Sequence, residues 1–361
     1  MRTQSIVYIV LLSLVLCACG AKAGPTPTSA GDTPLNLVVG VEGNISIKRQ
    51  GWTDYAPAFF GMALRNGDLL RLDGSSQATV ACSDLTLAKA AGGVSAVPCK
   101  GTKSMLVSGG RLVMPTRADA PLEIPLIVSP RKTKLLSAHP ILRWSPVAGA
   151  TVYKVSLRGP NLSWSSDVAG KTEIAYPNDA PTLAPGATYK LSVTAGARSS
   201  DEESIPGLGF TMLKPEDGQV VRDGETRIRG LGLPDAATRL LTANLYASQG
   251  LNSEAIDQME SLIILAPQPA IVRSLGDLYL KIGLNRLAEE RYIQALGLSQ
   301  NLNDVEGQAT AQNALGLVYE ALGNKTEAVQ RSQKAIEWYQ KLGDARTVAQ
   351  IQDRIASLQK Q

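Results

Sequence analysis

The sequence predicts a multidomain protein in which two all-β modules are followed by an all-α solenoid of helical repeats. Three observations lead to this prediction. An apolar run at residues 6–16 and a polar stretch at 21–34 precede the first folded module. Short alternating apolar runs, separated by Gly, Pro and Asp-Gly, then fill residues 35–213, as expected of strands joined by turns. In the last third of the chain one short phrase occurs twice, which is typical of a repeat protein.

Length and composition are compatible with several small modules rather than one large domain. The chain has 361 residues, of which 44% are hydrophobic and 19% charged, and its formal net charge is +4. These values are those of ordinary globular proteins. Lysines and arginines are scattered apart from the short run Arg131–Lys134, which we interpret as a solvated face at a domain edge. The composition therefore argues against a nucleic-acid partner.

The chain begins with the features of a secretory signal. A short basic start precedes the apolar run, which is too short to span a bilayer comfortably. The phrase Leu16-Cys17-Ala18-Cys19 resembles the bacterial lipobox. This resemblance implies a lipoprotein with lipid on Cys19, held at a membrane on the extracytoplasmic side of the cell envelope.

On this interpretation, residues 1–18 are a signal peptide and residues 19–34 a flexible tether. The tether is rich in Pro, Thr, Gly, Ser and Ala and has almost no large apolar side chains, so it lacks the means to pack into a core. A plain signal peptide, cut after Ala18 or Ala21, is the alternative.

The four cysteines can then be assigned by position. Cys17 would leave with the signal peptide and Cys19 would carry lipid, which leaves Cys82 and Cys99. In an oxidising envelope compartment the remaining pair is most simply a disulfide. Its loop would be worth about 3 kcal/mol on the chain-entropy model. A two-cysteine metal site would need more ligands, so we expect neither a metal nor a cofactor.

Residues 35–128 carry the pattern of a first β module, in which Gly and Asp-Gly separate short predicted strands. These strands are Leu37–Val39, Gly43–Ile47, Asp68–Leu72, Ala78–Cys82, Met105–Val107 and Arg111–Met114. The segments Val41–Ile47, Gly61–Asp68 and Gly74–Ala78 resemble the FecR-type β domain, and the Asn66-Gly67-Asp68 turn is their most specific part. Proteins of that type gate sigma factors, so the resemblance implies a signalling regulator as an alternative function.

Residues 129–214 have the alternating apolar pattern of a second β module. Its predicted strands end at Trp144 and Leu157, and a third strand follows a turn. That turn, Leu183 to Tyr189, resembles the one before a late strand of fibronectin-III-like domains, which implies a β-sandwich. We assign Trp144, Tyr153 and Tyr189 to its core because alternate neighbours are also apolar. An aromatic platform for carbohydrate or cell-wall polymer is the alternative.

A predicted linker at 215–233 leads to the repeats, at 234–361. The phrase Leu275-Gly276-Asp277-Leu278-Tyr279 is matched by Leu315-Gly316-Leu317-Val318-Tyr319, and a weaker copy precedes both. Small and aromatic residues at fixed positions in a unit of about 34 residues resemble the tetratricopeptide repeat, which folds as helix, turn and helix. The positions are Ala243, Tyr246, Gly250, Ala255, Gly276, Tyr279, Gly283, Ala288, Gly316, Tyr319, Gly323 and Ala328. An ordinary helical bundle is the alternative, but it needs no such register.

Each repeated position has an expected physical role. Gly276 and Gly316 should allow two helices to approach closely, with the alanines as the small opposite face. The tyrosines should fill the wider gap one turn later. Gly250, Gly283 and Gly323 should end the first helix of each pair in the left-handed conformation.

The resemblance to tetratricopeptide repeats implies a protein that binds another protein or a peptide in a groove lined by the first helices. Counting from each tyrosine, the predicted groove residues are Asn244, Arg273, Asp277, Lys281, Asn313 and Glu320. The sequence has no Gly-x-Ser-x-Gly elbow, phosphate loop or His-Glu-x-x-His helix. We therefore expect a non-enzymatic adaptor or assembly scaffold without a small-molecule substrate.

Overall fold

The computed structural model describes residues 33–100, 104–108, 123–203, 205 and 207–360. The first part of this range is mostly β-sheet and the last part is helical. The predicted signal peptide, Cys19, most of the tether and the predicted strand Arg111–Met114 lie outside the described residues.

The first β module is a six-stranded sheet with a two-stranded sheet beside it. Its strands are β1 (Thr33–Pro34), β2 (Asn36–Glu42), β3 (Ile45–Lys48), β4 (Ala56–Pro57), β5 (Ala63–Leu64), β6 (Leu69–Ala81), β7 (Leu87–Ala96) and β8 (Val107–Ser108). The larger sheet has the order β4-β3-β6-β2-β5 with β7 also paired to β6, and β1 pairs with β8. The final two residues of the predicted tether thus belong to a strand.

Strand β6 differs from the sequence prediction. The runs Asp68–Leu72 and Ala78–Cys82 were expected as two strands, but residues 69–81 form one. The first half of β6 pairs with β3 and the second half with β2, while β7, which we did not predict, pairs along both halves. A register shift after Leu72 accommodates Gly74, whose φ is 57°. The glycine turn therefore interrupts the ladder without ending the strand.

The predicted disulfide between Cys82 and Cys99 is present, with the two Cα atoms 5.4 Å apart. Cys82 follows β6 directly, and Cys99 follows β7. The bond therefore joins the turn between β6 and β7 to the segment that follows β7.

The second β module consists of two sheets that share one core. Its strands are β9 (Ile127–Ser129), β10 (Thr133–Leu135), β11 (Ile141–Trp144), β12 (Val152–Gly159), β13 (Leu162–Ala169), β14 (Glu173–Ala175), β15 (Thr188–Ala195), β16 (Arg198–Ser199) and β17 (Phe210–Met212). One sheet has the order β10-β17-β15-β12-β13, with β16 on β15, and the other β14-β11-β9. Trp144, Tyr153 and Tyr189 are buried in the core between them.

The helical part comprises antiparallel neighbours along the chain. Its helices are α1 (Pro215–Gly230), α2 (Asp235–Gln249), α3 (Asn252–Leu265), α4 (Pro269–Lys281), α5 (Asn285–Asn301), α6 (Val305–Ala321), α7 (Lys325–Lys341) and α8 (Ala345–Lys360). Helix α1 occupies the segment predicted as a linker. Pro215 opens it, acidic residues follow in its first turn and arginines stand in its last turn, as suits a helix and its dipole.

One apolar core joins the first β module to the helices. Leu37 and Leu106 of the β module belong to the same buried cluster as Leu241 and Ile271 of the helical array. A second cluster combines Trp52 with apolar residues of α6, α7 and α8. The described residues from 33 to 360 accordingly form a single compact unit.

Candidate protein-binding surface

The glycines of the repeated phrase stand where side chains of the neighbouring helix come closest. A Cβ atom on Gly276 would lie 2.6 Å from Cε1 of Tyr292, and one on Gly316 would lie 2.6 Å from Oγ of Ser332. The backbone oxygen of Ala328 also lies close to Gly316. Gly276, by contrast, faces the Tyr292 ring and not the expected alanine. The repeat alanines are buried: Ala243, Ala255, Ala288 and Ala328.

The glycines that follow the first helices have the backbone conformation required for a tight turn. The φ angles of Gly250, Gly283 and Gly323 are 79°, 81° and 75°, in the left-handed region that residues with a Cβ avoid. Each turn leads directly into the second helix of its pair.

The three tyrosines make the same hydrogen bond in each copy. The hydroxyl groups of Tyr246, Tyr279 and Tyr319 donate to Glu225, Glu260 and Glu289 at 2.7, 2.6 and 2.6 Å. Each acceptor lies on the second helix of the preceding pair, α1, α3 or α5. Helix α1 therefore takes the place of a second helix ahead of the first recognised copy.

The first β module covers the first helices of the array, on the side where the groove was predicted. Arg49 pairs with Glu306 on α6 at 2.7 Å. The indole nitrogen of Trp52 donates to Asp344, just ahead of α8, at 3.1 Å, and Thr53 N donates to the carbonyl of Leu342, also at 3.1 Å. Together with the shared core, these contacts bind the β module to the array in cis.

A small charged cavity lies at the centre of this contact. It encloses about 90 Å³ and is lined by arginines 49, 65 and 273, by Asp304 and Glu306, and by small or apolar residues. Arg49 also bonds Asp68, and both partners are almost fully buried. Burial raises the pKa of Asp304 to about 6, although its side chain caps α6 by accepting from Gly307 N. The cavity thus brings three guanidinium groups and two carboxylates together, and Arg49 pairs directly with Glu306.

Most of the six predicted groove residues have partners within the chain. Arg273 bonds Asp277 at 2.7 Å, and Asp277 also accepts from the Tyr292 hydroxyl at 2.8 Å. Arg354 of α8 donates to Asn313 at 2.8 Å and lies 4.0 Å from Glu320. These residues therefore brace the array internally and do not line one open channel.

The two remaining groove residues lie near the β modules. Asn244 donates to the carbonyl of Leu240 one turn earlier, and its own carbonyl accepts from Ser248, which also contacts Val107 of β8. Lys281 ends α4 and is exposed beside the second β module. The six residues are thus distributed over several environments.

Arg131 holds the second β module to the array, contrary to its interpretation as part of a solvated face. Its side chain is fully buried and forms a two-pronged ion pair with Glu203. Its Nε donates to the carbonyl of Ile282, in the turn after α4, at 2.8 Å. The sequence offered no signal for this, because the run Arg131–Lys134 resembles an ordinary basic turn.

Glu254 lies on the helical array at the same contact with the second β module. Its carboxylate accepts from Leu136 N at 3.1 Å, yet burial raises its pKa to about 7. The neighbouring Asp257 adds to the shift and forms an ion pair with Arg143 of β11 at 2.7 Å.

The structure also bears on the alternative sites. Because Trp144, Tyr153 and Tyr189 are buried, they do not form an exposed carbohydrate platform. Among the described residues, no cluster of His, Cys, Asp and Glu could hold a metal ion. Within the same ranges, each helix is too short or too polar to cross a membrane.

Comparison with known proteins identifies the helical array. A family model for the tetratricopeptide repeat matches residues 269–341, from α4 to α7. The C-terminal part of the chain therefore contains tetratricopeptide repeats. No curated protein matches the chain significantly.

Several solved structures resemble about two fifths of the chain. BtubC from P. vanneervenii is 19% identical with a TM-score of 0.34, and the match covers 39% of this chain and 63% of BtubC. MamA from Desulfovibrio magneticus RS-1 is 20% identical with a TM-score of 0.28, covering 40% and 92%. Kinesin light chain repeats from Podosopora anserina are 16% identical with a TM-score of 0.30, covering 40% and 87%. The chain thus spans less than two thirds of BtubC, and scores this low support no functional conclusion.

Proposed function

We propose that this chain is a non-enzymatic adaptor of a bacterial cell envelope, anchored to a membrane by lipid on Cys19. The observation that carries the adaptor role is the tetratricopeptide match over α4 to α7, because such repeats generally serve protein binding. The lipobox-like phrase at residues 16–19 supports the anchor and the extracytoplasmic location. We also propose that the two β modules have FecR-like and fibronectin-III-like folds.

The position of the first β module changes where a partner should bind. Since this module covers the first helices of the array, we propose that a partner uses the outward surfaces of the second helices. Gln294 on α5 and Gln330 on α7 are exposed there. The β module then stabilises the array from within the same chain.

Site-specific photo-crosslinking in the native host tests the adaptor role. A photoreactive amino acid at Gln294 or Gln330 should give a discrete adduct with another protein. Asp167 and Lys171, exposed on and beside β13 of the second β module, are matched control positions and should give none. Absence of adducts from both array positions would contradict the proposal, as would identical adducts from array and control positions.

Membrane anchoring needs a separate test. Wild-type protein should fractionate with membranes, and Cys19→Ser should release it into the soluble fraction. Recovery of the wild-type protein in the soluble fraction of its own host would refute the anchor and leave the adaptor role to be judged by crosslinking.

A further inference from the structure

An open cleft lies between the second β module and the helical array. Its floor is a row of side chains in register across three strands: Lys134 of β10, Thr211 of β17 and Thr188 of β15. Its walls come from the turn between α2 and α3, from the end of α4 and from the segment before β17. The cleft has a volume of about 450 Å³.

Three lysines from separate parts of the chain line this cleft, and no acidic residue does. Lys132 and Lys134 flank Thr133, and Lys281 lines the cleft from the end of α4. None of the three forms a salt bridge in the described part of the chain. Glu203, whose charge acts on the nearby Lys132, is held in an ion pair by Arg131.

Two arginines that bridge the modules are each paired with a carboxylate. Arg49 meets Asp68 and Glu306, and Arg131 meets Glu203. The three lysines of the cleft have no such partner among the ion pairs of the described residues.

The surroundings disfavour the protonated lysines when the cleft is empty. Desolvation by the surrounding protein lowers the pKa of Lys281, although its side chain is still exposed to solvent. Desolvation and the nearby Arg131 lower the pKa of Lys132, and Glu203 opposes part of this shift. A bound anion would oppose these effects, since an opposite charge within a few ångströms favours the charged form. Binding of an anion should therefore raise the pKa of these lysines, and protonated lysines should bind the anion more tightly.

The polar groups of the wall suit an oxyanion that also carries a proton. Asn252 is 4% exposed, and its amide nitrogen donates to the carbonyl of Lys132 at 2.6 Å. The oxygen of the same amide has no hydrogen-bond partner. The hydroxyls of Thr188 and Thr211 lie 2.9 Å apart on the floor.

We propose that this cleft binds a phosphate group, carried either by a soluble ester or by a lipid headgroup. Three ammonium groups match its multiple negative charge, and lysine is a common point-charge ligand for phosphate. Threonine hydroxyls can donate to its oxygens, and a rotation of the Asn252 side chain would bring its buried, unpaired oxygen to a protonated one. The proposal is independent of the adaptor role.

Binding is measured on the full chain with two kinds of probe. Calorimetric titration with inorganic phosphate and pyrophosphate tests soluble ligands. Flotation with phosphatidylcholine vesicles, with and without phosphatidylglycerol, tests headgroups. The cleft variant is the triple replacement Lys132→Gln, Lys134→Gln and Lys281→Gln. The control is Lys154→Gln, Lys171→Gln and Lys334→Gln, three exposed lysines elsewhere, so both variants lose the same net charge.

We expect saturable binding in at least one arm, weakened about tenfold or more in the cleft variant and by no more than about twofold in the control. Loss confined to vesicles identifies a headgroup, and loss confined to the titration identifies a soluble phosphate. Equal weakening in both variants, or no saturable wild-type binding in either arm, overturns the proposal. If the triple variant unfolds, Lys281→Gln alone should weaken binding by about threefold, and unchanged affinity would also overturn it.

Discussion

Gly276 shows how one residue fixes the distance between two helices. The ring of Tyr292 fills the space where a Cβ would stand, and its hydroxyl donates to Asp277, so the ring is held in place. Overpacking of this kind typically costs a folded protein 1–3 kcal/mol, and we expect Gly276→Ala to cost about 2 kcal/mol in urea unfolding.

Gly297 provides the matched control for this substitution. It also lies inside a helix, α5, but a Cβ there would meet nothing within 4 Å. Gly297→Ala should therefore stabilise the protein by about 0.5–1 kcal/mol, the usual difference in helix propensity. Similar effects of the two substitutions would contradict the close approach at Gly276.

Glu254 should make stability depend on pH. Its native pKa of about 7 lies above the ordinary value of 4.5, so the folded state keeps a proton that the unfolded state releases. The resulting stability is complete below the unfolded pKa and is lost as pH rises through 7. The loss should be about 3 kcal/mol at most. Urea unfolding at pH 4.5, 6 and 8 measures it.

Replacement of Glu254 by Gln should remove this part of the pH dependence, because Gln does not titrate and can still accept from Leu136 N. Glu290→Gln, at an exposed position of α5, should leave the pH dependence unchanged. A wild-type profile that Glu254→Gln does not flatten between pH 4.5 and 8 would exclude Glu254 as its source.

Among the elements, α1 packs against its neighbours as a folded helix does, and not as a linker would. Val221 is fully buried and packs with Leu213 and Leu251, whereas its neighbour Val220 is 46% exposed. Val221→Ala should lower the free energy of unfolding by about 2 kcal/mol, and Val220→Ala should change it by less than about 0.5 kcal/mol. If both valines tolerate alanine equally, α1 does not belong to the folded array.

The elements that the sequence predicted well are those with a repeated local signal. Turn glycines and recurring tyrosines indicated the helices from α2 onward. Helix α1 lacks the repeated phrase, so its role became visible only through the hydrogen bond between Glu225 and Tyr246. Strand β7 was missed because most of its residues are exposed and show no regular alternation.

The contacts between modules could not be predicted from the sequence for a different reason. Arg49 and Glu306 are 257 positions apart, and neither stands in a motif that names the other. The same holds for Arg131 and Ile282, 151 positions apart. Local pattern therefore predicted the array and its fold class, while the covering of its first helices depends on long-range pairs that local pattern does not encode.

In the whole molecule, the first β module rests on the helical array in cis. The buried Arg49–Glu306 pair is its most specific contact. Removal of one partner of a buried ion pair leaves an uncompensated charge and typically costs about 3–5 kcal/mol. Single substitutions would therefore be severe even if the pair itself contributed little, and only their coupling isolates the contact between modules.

A double-mutant cycle with Arg49→Met, Glu306→Gln and the combined variant measures that coupling through urea unfolding. The exposed pair Arg239–Asp235 within α2 serves as the reference and should couple by about 0.5 kcal/mol or less. We predict a favourable coupling of at least about 1.5 kcal/mol between Arg49 and Glu306. Additive effects, within about 0.5 kcal/mol, would contradict a β module seated on the array.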